Sequence, residues 1–128
     1  MLSLFKKSLL ILFVVLSFSP QASAKAQAEE KRERPVYFLA QIKITDKDKF
    51  FNEYVPEVKK HIKAAGGEII FGGIKPLQQL EGSWEFFTIA IKFPSKVAHD
   101  EFYFSEGNLN IAVPIRHQSS TINNIMLF

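Results

Sequence analysis

The sequence predicts an α+β domain with the element order strand, helix, strand, strand, helix, strand. Three observations point there. Apolar residues alternating every second position mark strands. Apolar steps of three and four residues between them mark helices. Glycine pairs and a Pro-Ser step fall where one kind of element gives way to the other. Around a central hairpin, this order builds an antiparallel sheet with helices on one face, the ferredoxin-like βαββαβ sandwich.

Pro35 opens the first strand. Val36, Phe38, Ala40, Ile42 and Ile44 share one face, and Tyr37, Leu39, Gln41 and Lys43 share the other. Thr45-Asp46 is a helix-capping signal, with Asp48 adding negative charge to the first turn. A helix is expected to about Ala65, where Phe51, Val55, Val58, Ile62 and Ala65 form the apolar stripe and Tyr54 lies alongside. Pro56 should kink it or start a new turn, and Gly66-Gly67 should stop it. A short strand, Glu68 to Phe71, ends at Gly72-Gly73, a pair expected to adopt backbone angles closed to other residues. A loop with Pro76 and Glu81-Gly82 leads to a longer strand, Trp84 to Phe93. Pro94-Ser95 starts a second helix, about Lys96 to Phe104. Asn108 to Gln118 reads as a further short helix bent by Pro114, and Ile122 to Phe128 as the last strand.

The chain of 128 residues leaves room for one domain. Residues 1–24 read as a removable export signal: Lys6 and Lys7, an apolar run from Leu9 to Leu16, Pro20, and the small-x-small step Ala22-Ser23-Ala24. The run is far short of the roughly 20 residues a membrane span needs, so no span is expected once the signal is removed. Residues 25–34 are polar and charged and read as a flexible tether, leaving 35–128 as the folded domain. The whole chain carries a formal +3. Without Lys6 and Lys7 the remainder stands near +1, too little for a nucleic-acid partner held by bulk charge. With no cysteine, the fold rests on its core. The thirteen phenylalanines supply much of that core, since each aromatic ring buries a large area. A sheet face left bare by the helices would carry Phe and Ile into water. The sequence therefore predicts a homodimer, sheet against sheet, as well as a periplasmic or secreted location.

From Val36 to Phe128 the chain resembles the domain-of-unknown-function family 1330, of the dimeric α/β-barrel superfamily. The matching residues are the strand from Tyr37 to Ile44, Gly66-Gly67, Gly72-Gly73, Glu81-Gly82-Ser83-Trp84, Phe93-Pro94-Ser95, Phe102-Tyr103 and Arg116. The resemblance implies a ferredoxin-like protomer whose sheet packs on its twin's, and it implies no reaction. Two departures stand out: Phe71 where the family often has arginine, and Gly107-Asn108-Leu109 where it tends to carry tyrosine.

Arg116 is the leading site candidate. It sits among Ile111, Ala112, Val113 and Ile115, and its fork suits a carboxylate or phosphate; the competing role is a tie to a loop carbonyl or to Glu81. Trp84, the single tryptophan, offers a wall for a planar ligand or plain packing against the second helix. Glu81 is a candidate general base, or equally a solvated loop carboxylate. Tyr103, between Phe102 and Phe104, is a candidate hydrogen-bond partner or a core edge, and His117 beside Arg116 completes the set. His61, His99 and His117 lack the spacing of metal ligands on one helix, so no metal and no cofactor is expected. No nucleophile elbow or phosphate loop occurs. Three functions compete. A dimeric module binding a small anionic or partly apolar ligand leads. A cofactor-free monooxygenase- or isomerase-like enzyme follows by analogy with the superfamily. A secreted interaction protein is third.

Overall fold

The computed structural model describes residues 34–128 together with 21 and 23–27. Most of the signal and most of the tether lie outside the described residues; 21 and 23–27 are helical and exposed.

Four antiparallel strands form one sheet: β1 (Val36–Ile44), β2 (Glu68–Gly73), β3 (Phe87–Phe93) and β4 (Ser120–Leu127), in the order β2-β3-β1-β4. Pairing places Phe38 opposite Ile91 and Leu127, Ala40 opposite Ile89 and Ile125, and Ile42 opposite Phe87 and Asn123. Because side chains alternate across a strand, this register puts Phe38, Ala40, Ile42, Ile91 and Phe93 on one face, where all are buried. The two faces of β1 are those the alternation predicts.

Helix α1 begins with an α turn (Lys47–Lys49), widens into a π turn (Phe50–Tyr54) and continues as regular helix (Val55–Ala64). Asp46 caps it, its Oδ1 accepting from the Lys49 amide at 3.0 Å. The break expected at Pro56 takes the form of that widened turn. Proline has no amide to donate and its ring crowds the carbonyl four residues back; the wider turn, in which the Val55 amide donates to the Phe50 carbonyl, precedes it. Helix α3 repeats the device, with a π turn (Asn108–Ala112) ahead of Val113–Gln118 and Pro114 in the first turn. Between them, α2 (Lys96–Tyr103) is capped by Ser95, whose Oγ accepts from the Ala98 amide at 3.0 Å.

Gly66 ends α1 with φ of 75°. Its amide donates to the Lys63 carbonyl, and that of Gly67 donates to Ile62, a paired closure that satisfies the last carbonyls. Gly67 is also a close approach: a Cβ there would stand 2.7 Å from the Ile62 side chain and 2.8 Å from Phe93. Gly72 and Gly73 correct the sequence expectation. Both lie inside β2 and neither has a positive φ. The longer strand starts at Phe87, not Trp84: its pairing with β2 ends at Thr88, opposite Gly73, and its pairing with β1 ends at Phe87, opposite Ile42.

All three helices cover the same sheet face. Phe50, Tyr54, Val58 and Ile62 of α1, Phe102 of α2 and Ala112 of α3 meet Phe38, Ala40, Ile42, Ile91 and Phe93 there in one core. The opposite face carries Leu39, Phe71, Ala90 and Met126 and has no helix over it.

Candidate functional site

Between α1 and the sheet lies a cavity of about 300 Å³. Strand alternation aims Phe38, Ala40, Ile42, Phe87, Ile89 and Ile91 into it from below. Phe51, Tyr54, Val55, Val58, Lys59 and Ile62 of α1 close it from above, and Ile69, Gly72 and Phe102 complete the wall. Gly72 has a role the sequence missed. A Cβ there would come within 3.4 Å of Ile89, so the missing side chain leaves this wall open. The π turn matters as well, because Phe51 and Tyr54 of that turn both line the space.

Only two of the lining residues bear a polar side chain, Tyr54 and Lys59. Tyr54 is 7 % exposed. Burial pushes its hydroxyl above the ordinary phenol range, and the positive charge of Arg116 and a hydrogen bond from that guanidinium work against the rise. Arg116, on α3, is 5 % exposed with its guanidinium carbon 6.0 Å from the centre of the Tyr54 ring, the outer limit of a cation–π contact. Among the described residues its Nε has no hydrogen-bond partner, and no carboxylate lies within ion-pair distance. Arg116 is thus neither tied to Glu81 nor in the cavity wall; it stands behind Tyr54.

The other candidates do not converge on this place. Trp84 and Glu81 lie in the loop between β2 and β3 and line a separate, open depression with Phe71, Lys75 and Thr88. Trp84 packs edge-on against Phe86 at 6.0 Å, not against α2. Within one protomer Arg116 and Trp84 therefore do not line a common space. Tyr103 stacks on His99, ring centres 5.7 Å apart and planes 17° from parallel, and is a core edge. His117 is exposed at the end of α3. The acid–base constellation of Arg116, His117, Glu81 and Tyr103 is not assembled.

The structure also accounts for one departure from the family pattern. At Gly107 a Cβ would stand 2.1 Å from the His61 ring. His61 fills the space a side chain would need, held by Glu57 Oε1 at 3.0 Å. Asn108, 2 % exposed, donates to the Tyr103 carbonyl at 2.8 Å. No group of three His, Asp or Glu among the described residues is placed to hold a metal ion, and no described helix is long and apolar enough to cross a membrane.

Tyr54 is the residue sequence reasoning underrated. Its place beside the apolar stripe of α1 was legible, but its position between a cavity and a buried arginine depends on the π turn, which has no simple sequence signature.

Solved structures share this fold. A protein of unknown function from Rhodopseudomonas palustris superposes with a TM-score of 0.59 at 16% identity, over 86% of this chain and 92% of that one. A dimeric protein of unknown function and ferredoxin-like fold from Bacteroides fragilis does so at 0.50 and 10% identity, over 73% of this chain and 94% of that one. At such identities the likeness is one of fold. No curated protein matches the sequence. The β-strand and glycine pattern, the capped helices and the four-stranded sheet agree with a match over residues 35–128, and the chain belongs to the family described as Domain of unknown function (DUF1330).

Proposed function

We propose that this is an exported, dimeric module that binds a small, mostly apolar or anionic molecule inside each protomer. One observation carries the reading. Protein interiors are packed with few voids larger than a water molecule, yet a space of about 300 Å³ sits between α1 and the sheet. That size is at the lower end of small-molecule sites. The wall is apolar, so the ligand's body is too.

Dimerisation follows from the uncovered sheet face. Phe71 is 54 % exposed there, with Met126 and Leu39 on the same side. Leu77 and Leu80 in the β2–β3 loop are almost wholly exposed. A second copy laid sheet to sheet would remove this surface from water. The Bacteroides fragilis protein is described as dimeric, which supports a dimer here. Export rests on the N-terminal signal. Protein recovered from the periplasm of an expression host should begin at Lys25 by intact mass; retention of residues 1–24 would refute processing there.

Native mass spectrometry tests the binding reading. The expected result is a dimer carrying an extra mass that is lost on denaturation, or that appears on soaking with small apolar compounds. A protein that takes up none of a broad panel would sink it.

A further inference from the structure

Every charged group at the main cavity is a cation. Lys59 lines it, Arg116 stands behind Tyr54, and no Asp or Glu belongs to the wall. Elsewhere on that helix Lys49 pairs with Glu53, and Lys60 and His61 with Glu57, while Lys47 and Lys63 lie away from the cavity wall. Lys59 has no carboxylate partner among the described residues, and neither does Arg116.

Arg116 is the sharper anomaly. A guanidinium removed from water is costly unless a counter-charge and hydrogen bonds compensate it. Here an arginine 5 % exposed has an orphaned Nε and, among the described residues, no acid beside it. The Tyr54 oxygen accepts a hydrogen bond from Arg116, which leaves the phenol's own proton to place. A phenol hydroxyl both donates and accepts, yet no described residue accepts a hydrogen bond from this one. An apolar space, a spare donor in its wall and an uncompensated positive charge behind that donor describe one kind of guest.

We propose that the cavity takes a small apolar carboxylic acid in its ionised form, its carboxylate accepting the Tyr54 hydroxyl in the field of Arg116 and its hydrocarbon body lying against Phe38, Phe87 and Ile89. This rests on the binding reading above and narrows it to a ligand class. Because burial holds the Tyr54 phenol above its ordinary range, it keeps its proton at neutral pH and acts as a donor. The interaction of a carboxylate with Arg116 is strengthened by the low local polarity. Lys59, exposed at the cavity, favours the approach of an anion. An amine of the same shape would meet two cations and no acid.

Calorimetric titration of the purified protein with octanoate, 1-octanol and octylamine tests this. Octanoate should bind at least tenfold more tightly than octanol, and octylamine should show no heat. Tyr54→Phe should remove most of the preference for octanoate while leaving octanol unchanged. Arg116→Gln should do the same; if that variant does not fold, Tyr54→Phe decides alone. Equal affinity for acid and alcohol, or an octanoate preference untouched by Tyr54→Phe, would overturn the carboxylate assignment and leave the cavity as an apolar site. Failure of both octanoate and octanol to bind would overturn the assignment and the binding reading together.

Discussion

His61 and Gly107 show how one position is fixed by another. The His61 ring occupies the volume of a Gly107 side chain, so Gly107→Ala forces either the imidazole or the start of α3 to move. Overpacking of this kind costs about 1–3 kcal/mol. A urea denaturation midpoint lowered accordingly, and restored in Gly107→Ala combined with His61→Ala, would confirm the steric cause. An unchanged midpoint in the single variant would refute it.

The same histidine shares a carboxylate. Glu57 is held below the usual carboxylate range first by its hydrogen bond with Lys60 and then by His61. Asp100 is held low first by Lys96 and then by His99. A carboxyl whose value is lower folded than unfolded binds its proton more readily in the unfolded chain. Its contribution is complete above the ordinary carboxylate value of about 4 and is lost as pH falls through the lower folded value. Both carboxylates lie at the surface, partly covered and still in contact with water, so the effect is small and weakens with salt. The melting temperature of Glu57→Gln with Asp100→Asn should therefore fall less between about pH 5 and about pH 3 than that of the parent. An identical acid limb would show the two pairs to be inconsequential.

At the scale of elements, capping was the most legible part. Asp46 and Ser95 were both readable as helix starts, because a short polar side chain ahead of an apolar stripe has one good use there. Both make the expected bond. Asp46→Ala and Ser95→Ala should each cost about 1 kcal/mol. The costs should add within about 0.5 kcal/mol, since the caps serve separate helices; marked non-additivity in chemical denaturation would mean the two helix starts are coupled. Strand boundaries were less legible. Trp84 and Phe86 look as strand-like as Phe87, but a strand ends where its partner ends, and the β2 partner stops at Gly73. The glycine pair at 72 and 73 was readable as special but for the wrong reason, since neither has unusual backbone angles and it is Gly72 alone that leaves room beside Ile89. Of the site, the sequence picked out Arg116 as a polar residue in apolar surroundings. It missed that Trp84 and Glu81 belong to a different part of the molecule, because nothing in the local pattern says where a thirteen-residue loop (74–86) comes to rest.

For the molecule as a whole, the helices account for one side of the sheet only. Charge on the other side is the direct probe. Phe71→Glu with Met126→Glu should convert a dimer to a monomer by light scattering while leaving the far-ultraviolet circular dichroism intact, since neither residue joins the helix-side core. A parent protein that is monomeric at every concentration would refute the sheet-to-sheet arrangement, and a double variant that stays dimeric would move the interface elsewhere.

The two outermost strands, β2 and β4, each depart from regular pairing: register shifts between Ile69 and Phe71 in one, and opposite Lys43 and Ile44 in the other. Ile69, Ile70 and Phe71 form an apolar, exposed run on such an edge, the type of segment that recruits further strands into open-ended aggregates. A bulge bends and twists an edge away from the flat template that such growth requires. The irregularity at Ile70 is of the kind that disfavours strand-by-strand growth along this edge.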